Sequence, residues 1–223
     1  MKRTIIIYAI CLFSISLFAQ VELGGTEHFT EVEADGTLEF HGDATVWNDY
    51  VVPFSSAKAK GTKPPVWEEF IGNIYQWSFK NEGDANKEPE VGFVIQMPHD
   101  WDGSLIYPHI HWSPEENSSG SVVWAIEYTW ISYDHDTPLE FPSTTTLTGT
   151  SRELSSMGHK HLITEFGSIT PSSNQNSISS ILVVTFFRNS TNAADTYSKK
   201  AFALSFDIHY RSNTVGSRQE YIK

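Results

Sequence analysis

The sequence predicts an all-β protein: a single antiparallel β-sandwich of jelly-roll type with about ten strands and minimal helix. Two observations support this fold class. Runs of β-branched and aromatic residues recur along the 223-residue chain and are separated by Gly, Asn, Asp, Ser and Pro. Hardly any segment has helical periodicity, and no internal repeat is visible. The length and the number of strands favour a jelly roll over an immunoglobulin-type domain.

The predicted strands follow one another from the first third of the chain to its end. They are expected at 37–41, 44–52, 74–80, 90–97, 105–112, 121–133, 143–149, 161–169, 178–188 and 201–211. Between the second and third strands, residues 65–72 predict one or two helical turns, since a proline begins the segment, acids follow and a glycine ends it. Loops are expected at 81–90, 113–121, 134–142 and 170–177.

The residue patterns of the last two strands predict where each lies in the sandwich. In 178–188 both faces are apolar, with Leu182 and Phe186 on one side and Val183 and Phe187 on the other. Such a strand belongs in the middle of a sheet that is covered on both sides. The last strand alternates cleanly, which predicts one face in the core and one in water. Its apolar residues are Phe202, Leu204, Phe206, Ile208 and Tyr210, and its other face carries Ala203, Ser205, Asp207, His209 and Arg211.

The N-terminal residues predict export. Lys2 and Arg3 precede an apolar run, and Phe18-Ala19-Gln20 offers a small residue for cleavage, so residues 1–19 are expected to be a secretory signal peptide. This ending resembles signals common in the Bacteroidetes, which implies a secreted or periplasmic protein of a Gram-negative bacterium. Residues 20–36 are predicted as an N-terminal arm, extended or mobile, and 37–223 as the sandwich domain with a C-terminal tail at 212–223.

Charge and cysteine content exclude several partners and sites. Removal of 19 of the 223 residues leaves 204 and takes away two positive charges, so the formal net charge moves from −12 to −14. Such a surface repels phosphates, and we expect no nucleic-acid partner. The only cysteine, Cys11, lies in the signal peptide, so no disulfide or thiolate site is expected. No membrane span is expected after signal removal.

The segment from Gly103 to Glu115 contains the principal candidate site. In a strand, His109 and His111 project to one face while Ile110 projects to the other. Two adjacent imidazoles are either a pair of metal ligands or a polar stripe on a sheet, and the residues alone leave both interpretations open. The spacing Gly-x5-His-x-His-x3-Glu resembles the first motif of the cupins. That resemblance implies His109, His111 and Glu115 as ligands to iron, manganese, zinc or nickel.

The cupin resemblance is partial, because the second cupin motif is absent. Two further histidines, His161 and His209, are the candidates to complete such a site in another arrangement. The tryptophans suggest a different ligand, since exposed indole rings stack on sugars. Trp47, Trp77, Trp101 and Trp112 are the candidates if they are exposed, although at least half of the seven tryptophans are expected in the core.

Several segments in order resemble an uncharacterised group of β-rich proteins encoded by tailed phages and prophages. They are Phe40 to Asp49, Val52-Pro-Phe54, Gln96 to His99, Pro108 to Trp112, Glu127 to Trp130, His161 to Glu165, Asp207-x-His209 and Thr214 to Arg218. The resemblance covers about residues 38–223 and implies a virion-associated jelly roll with no catalytic motif. A signal peptide is foreign to such a protein, which implies that a secreted copy has taken another role.

Three functional hypotheses follow from the sequence. The leading hypothesis is a secreted, non-enzymatic binding or structural module that forms homo-oligomers, has a phage-virion-like origin and needs no cofactor. The second is a cupin-like metalloprotein that holds zinc, iron or manganese through His109 and His111. The third is a lectin-like domain with a glycan partner. No Gly-x-Ser-x-Gly elbow, phosphate loop or His-Glu-x-x-His helix is present, so an enzyme is the less favoured interpretation.

Overall fold

The computed structural model describes residues 21–134, 137–172 and 174–221. In this part of the chain 47% of the structure is strand, and there are fourteen strands and two short 3-10 helices. The strands are β1 Val21–Gly24, β2 Phe29–Val32, β3 Leu38–His41, β4 Val46–Pro53, β5 Lys58–Ala59, β6 Val66–Ile71, β7 Ile74–Phe79, β8 Glu90–Gln96, β9 Tyr107–Pro114, β10 Val123–Ile131, β11 Thr145–Thr150, β12 Leu162–Glu165, β13 Ile181–Arg188 and β14 Ala201–Ser212. The 3-10 helices span Gly42–Ala44 and Phe54–Ser56.

The strands form three antiparallel sheets. A small N-terminal sheet has the order β1-β2-β3, a five-stranded sheet has the order β11-β10-β13-β8-β5, and a six-stranded sheet has the order β12-β9-β14-β7-β6 with β4 also paired to β14. The eight strands β7 to β14 can be numbered one to eight in chain order. Strands one, eight, three and six (β7, β14, β9 and β12) are then neighbours in the six-stranded sheet, and strands two, seven, four and five (β8, β13, β10 and β11) are neighbours in the five-stranded sheet. This order is that of an eight-stranded jelly roll, so the predicted fold class is confirmed.

The core lies between the five-stranded and six-stranded sheets and is largely aromatic. Trp112 of β9 packs 5.6 Å from Trp124 of β10, and Trp124 packs 5.1 Å from Phe186 of β13, measured between ring centroids. All three side chains are fully buried, and each stabilises the fold by roughly 1.5–3 kcal/mol through burial alone. Since Trp112 faces the core, alternate residues of β9 must face away from it. This is what directs His109 and His111 to the outer surface of the six-stranded sheet.

A bulge in β14 interrupts the alternation that the sequence predicted for the last strand. The register between β14 and β9 shifts between Ala203 and Ser205. Before the shift Ala203 belongs to the core, and after it Phe206 does. Phe202 instead packs against Phe70, with ring centroids 5.2 Å apart. A bulge inserts one extra residue, so the side chains that follow change face relative to those before it.

Strand β13 occupies the centre of the five-stranded sheet, as its apolar sequence predicted. Leu182 and Phe186 are fully buried on the core side. On the opposite side Val183 and Phe187 are only half-buried, so the expectation that the strand is covered on both sides is met fully on the core side and only in part on the other.

The helix predicted at 65–72 is wrong, because this segment is strand β6. It pairs with β7 through a two-residue turn at Gly72-Asn73, and Gly72 has a positive φ of 56°. That left-handed conformation is what a tight hairpin turn requires. Trp67 packs across the pair against Trp77, with ring centroids 5.2 Å apart. Gly72, which the sequence pattern indicated as a helix end, therefore lies in a hairpin turn. Pairing with β7 overrides the local helix signals.

The two ends of the described chain contact each other. Residues predicted as an arm contribute β1 and β2, of which β1 pairs with β2 and β2 pairs with β3. In the tail, the Arg218 guanidinium donates to the Asp35 carbonyl at 2.7 Å and to Thr37 Oγ1 at 2.6 Å. The predicted signal peptide, including Cys11, lies outside the described residues. Among the described residues, no helix has the length and apolar character needed to cross a membrane.

Candidate functional site

The outer surface of the six-stranded sheet carries a cleft of about 680 Å³, which we call the outer cleft. Strands β12, β9, β14 and β4 lie side by side beneath it, so residues far apart in sequence meet in rows across the sheet. One row joins Glu165, His109 and Asp207, and the next joins Tyr107, His209 and Asp49. The cleft is lined by Trp47, Asp49, Tyr107, Pro108, His109, His111, Ile163, Glu165, Asp207 and His209.

Three polar side chains converge in the cleft, and we call them the triad: His109, His111 and Asp207. The Nε2 atoms of the two histidines are 3.1 Å apart. Asp207 Oδ2 lies 3.1 Å from His111 Nε2 and 3.7 Å from His109 Nε2. The side chain of His109 is only 4% exposed and that of Asp207 only 10%. Among the described residues these three form a His and carboxylate group compact enough to hold a metal ion.

Further imidazoles support the triad from both sides. His161 Nε2 is 2.6 Å from His111 Nδ1, and the two rings stack with their planes 17° apart. His209 packs edge-on against His109 with ring centroids 4.4 Å apart, and its Nε2 pairs with Asp49 Oδ1 at 2.8 Å. The four histidines that the sequence singled out are therefore brought together by the fold.

Burial alters the chemistry of the triad. The pKa of His109 is lowered, first by burial and then by the neighbouring His209, although the carboxylate of Asp207 opposes the shift. A lowered pKa keeps the imidazole neutral near pH 7, with a lone pair on one ring nitrogen. Asp207 Oδ1 is buried and has no hydrogen-bond partner among the described residues. A buried carboxylate oxygen without a partner is costly and calls for an explanation.

Aromatic side chains form one end of the outer cleft. Trp47 of β4 is 53% exposed, and its ring centroid lies 5.7 Å from that of Tyr107, which is also exposed. The Arg211 guanidinium lies 6.0 Å from the Trp47 ring centroid on the same face of the sheet. The contact between Asp49 Oδ1 and His209 Nε2 lies beside this aromatic end in the same lining. The cleft thus combines exposed aromatic rings with hydrogen-bonding groups beside them.

Glu115, predicted as a third ligand, is not part of the cleft. Strand β9 ends at Pro114, and Glu115 lies four residues beyond His111, a distance of about 13 Å along an extended chain. Its carboxylate pairs with Lys200 Nζ at 3.4 Å and accepts a hydrogen bond from the Lys200 backbone N–H at 3.2 Å. The carboxylate of the triad comes instead from Asp207 on the neighbouring strand.

Of the four candidate tryptophans, only Trp47 lines the cleft. Trp101 and Trp112 are 1% and 0% exposed and belong to the core, so they do not meet the condition of exposure on which their candidacy as ligand-binding residues rested. Their indole N–H groups are satisfied internally, by the Ser104 carbonyl and by Thr164 Oγ1. Trp77 is half-buried, and its indole N–H donates to the Phe54 carbonyl at 2.9 Å. Large aromatic side chains in strands face the core unless the sheet face is open.

Sequence reasoning missed the place of Asp207 in the triad and the place of Asp49, Tyr107 and Glu165 in the cleft. One signal was available for the first of these. Asp207-x-His209 has the same spacing as His109-x-His111, so each pair shares one face of its strand. In a jelly roll the third and eighth strands are neighbours, and that topology places the two pairs side by side. No local signal connects Asp49 or Glu165 to the site.

No family model matches this chain, and no curated protein matches it. Several solved structures are similar at low identity. The CBM22-2 xylan-binding domain from Paenibacillus barcinonensis is 13% identical, with 74% of this chain and 99% of that one covered and a TM-score of 0.38. TmCBM61 in complex with β-1,4-galactotriose is 11% identical, with 74% and 88% covered and a TM-score of 0.28.

A virus structure is also similar. The structure of infectious bursal disease virus, Gt strain, is 10% identical, with 93% of this chain and 51% of that chain covered and a TM-score of 0.31. The similar structures are thus carbohydrate-binding modules and a virus protein. Since all these TM-scores lie below 0.5, the fold assignment rests on the strand order of this chain.

Proposed function

We propose that this protein is an exported, non-enzymatic binding module that binds a glycan in the outer cleft. The observation that carries the proposal is the exposed pair of Trp47 and Tyr107 at one end of the cleft, next to the carboxylate of Asp49. The C–H face of a sugar ring stacks on such an aromatic surface. The sugar hydroxyls then donate hydrogen bonds to nearby carboxylates, which orient the ring.

The setting of Trp47 favours a preformed binding surface. Its ring is packed beside Tyr107 and lies near the Arg211 guanidinium, while half of its area stays open to solvent. An aromatic side chain that is held in place before binding loses little conformational entropy when a ligand stacks on it. An exposed tryptophan on a surface without such neighbours has no comparable advantage.

The test is binding to a glycan array followed by affinity electrophoresis on the soluble polysaccharides that bind. The array includes xylan and β-1,4-galactan, which resemble the ligands named for two of the similar structures. Wild-type protein is expected to bind at least one glycan class, and Trp47→Ala is expected to weaken that binding at least tenfold, because the stacking surface is lost. The measured quantity is the dissociation constant for the polysaccharide.

Trp67→Ala is the matched control, because Trp67 is also exposed but lies on β6, away from the cleft lining. It is expected to bind as the wild type does. Silence of the wild-type protein across the array would remove the proposal. An equal loss in both tryptophan variants would remove it as well.

Self-association is a second candidate function, and the hairpin β6–β7 favours it. This hairpin ends the six-stranded sheet with β6 as the edge strand, and both of its strands expose large apolar side chains. They are Val66, Trp67, Ile71, Ile74 and Tyr75. An apolar edge of this kind is a template for pairing with another copy of the chain. Assembly through the hairpin would agree with the virion-like origin that the family resemblance implies.

A further inference from the structure

The donor atoms of the triad have the separations of ligands to one metal ion. Two ligand atoms placed about 2.05 Å from a zinc ion at the tetrahedral angle lie about 3.3 Å apart. The three edges of the triad, which join His109 Nε2, His111 Nε2 and Asp207 Oδ2, measure 3.1, 3.1 and 3.7 Å. One ion at the centre of this triangle can therefore reach all three atoms without any large movement of the backbone.

We propose that the triad binds a divalent transition metal of the zinc class, with the remaining coordination positions open to the outer cleft. Two imidazoles and one carboxylate are the donor set of zinc sites that keep an open position and of two-histidine, one-carboxylate iron sites. Calcium and magnesium prefer oxygen ligands throughout, which this triad does not supply. The site is distinct from the cupin-like prediction, because Asp207 of β14 replaces Glu115 and all three side chains face away from the sandwich core.

The groups behind the triad orient it as outer neighbours of metal ligands do. A metal-bound histidine usually holds its second ring nitrogen in a hydrogen bond, which fixes the ring and its tautomer. His111 uses its Nδ1 toward His161 Nε2 at 2.6 Å, and His109 has a backbone hydrogen bond with Tyr107. In both cases the hydrogen-bond partner lies outside the triad, while the Nε2 atoms of the two histidines point toward each other and toward Asp207.

The unpartnered oxygen of Asp207 is a second, independent sign of a ligand. A purely hydrogen-bonded cluster of these side chains satisfies Asp207 Oδ2 through His111 but leaves Oδ1 buried and unpaired. A cation bound by the carboxylate compensates that loss, since its charge acts on both oxygens. The metal thus accounts for a polar atom that the described part of the chain leaves unsatisfied.

The experiment is metal analysis of the protein purified without a polyhistidine tag, followed by zinc titration calorimetry. Close to one zinc ion per chain is expected, and the visible spectrum of the Co²⁺ form is expected to show a defined coordination geometry. His111→Gln and Asp207→Asn are each expected to weaken zinc binding more than tenfold. Asp207→Asn preserves shape, and His111 lies at the edge of the cleft, so at least one variant is expected to fold. Thermal unfolding verifies this.

His28→Gln is the matched control, because His28 lies in the turn between β1 and β2 and outside the cleft lining. It is expected to bind zinc as the wild type does. Wild-type protein that binds no zinc or cobalt overturns the proposal, and so does a folded triad variant that binds as tightly as the control. Neither result depends on a glycan, so a failure of the metal site and a failure of glycan binding are distinguishable.

Discussion

At the scale of single residues, the neighbours of a side chain decide its role more than its identity does. His109 is nearly buried among His111, His209 and Asp207, and its pKa is lowered chiefly by burial. His28 is half exposed and lies 3.5 Å from Asp43, outside the cleft lining. The same contrast separates Trp47, which is open to ligands, from Trp112, which fills the core. The two members of each pair differ in where the fold places the side chain.

The buried ion pair of Arg188 and Asp195 is a residue-scale prediction for stability. Both side chains are completely buried, with Arg188 Nη2 2.7 Å from Asp195 Oδ1 and Nε 2.9 Å from Oδ2. Asp195→Ala leaves a buried guanidinium without its counter-ion, and we expect the free energy of unfolding to fall by about 3–5 kcal/mol. Urea denaturation measures this change.

Asp84→Ala is the control for the buried pair. The carboxylate of Asp84 pairs with Lys87 at 3.3 Å on the surface and accepts a hydrogen bond from the Asn86 backbone N–H at 3.0 Å, so its removal is expected to lower the unfolding midpoint far less than the removal of Asp195. If Asp195→Ala unfolds at the same urea concentration as Asp84→Ala, the buried pair stabilises the fold no more than the surface pair does, which contradicts the prediction.

At the scale of elements, two strands carry the site because each has one face in the core. β9 buries Ile110 and Trp112, and β14 buries Phe206 and Ile208, so the residues between them are presented together outside. The bulge at Ala203–Ser205 changes the face of the residues that follow it relative to those before it. The polar half of β14 is thereby aligned with the histidines of β9.

The pairing of β5 with β8 predicts an acid-sensitive contribution to stability. Burial raises the pKa of the Glu90 carboxyl, but hydrogen bonds and charge from Lys60 and Lys63 outweigh burial, and the pKa is lowered from 4.5. A folded-state pKa below the unfolded one adds stability above the unfolded value, and that stability is lost as the pH falls through the folded value. We expect the doubly substituted Lys60→Met, Lys63→Met protein to lose less stability than wild type between about pH 6 and about pH 3.

Denaturation at several pH values provides the measurement for Glu90. Lys58→Met is the matched control, because Lys58 is an exposed lysine of β5, two residues before Lys60. Its pH profile is expected to follow that of the wild type. Parallel profiles for the double variant and the wild type would contradict the assignment of this acid sensitivity to Glu90.

At the scale of the whole molecule, the exposed hairpin β6–β7 predicts self-association. Ile74 is 57% exposed, and Ile71, Trp67 and Tyr75 of the same hairpin are exposed as well. Apolar surface in contact with water is unfavourable, and a second copy that covers the hairpin removes this contact. Wild-type protein is expected to form a discrete oligomer at micromolar concentration, and Ile74→Lys with Ile71→Lys is expected to be monomeric. Light scattering coupled to size-exclusion chromatography measures the mass.

Val94→Lys is the control for the oligomer, since Val94 is equally exposed, at 57%, but lies on β8 of the other sheet. It is expected to keep the oligomer intact. A strictly monomeric wild-type protein would refute self-association at this concentration. It would leave the glycan and metal proposals untouched.

Much of the fold was predictable because side-chain alternation is a local property. Ten predicted strands correspond to observed ones, and the pairing of His109 with His111 on one face follows from the period of a strand alone. The segment 65–72 was not predictable in this way. Its helix-like ends are the same residues that a hairpin uses, and only the partner strand β7 decides between the two structures.

The sequence by itself predicted an all-β fold of jelly-roll type and two histidines on a common face, because strand periodicity, turn residues and the number of strands are local properties of the chain. Only the tertiary structure decided that Asp207 and His161 join those histidines and that Trp47 closes one end of the cleft. Those contacts span 50 residues and more, and they form because burial of the aromatic core sets the register between β9, β12, β14 and β4. A one-residue change in that register would turn each of these side chains to the opposite face.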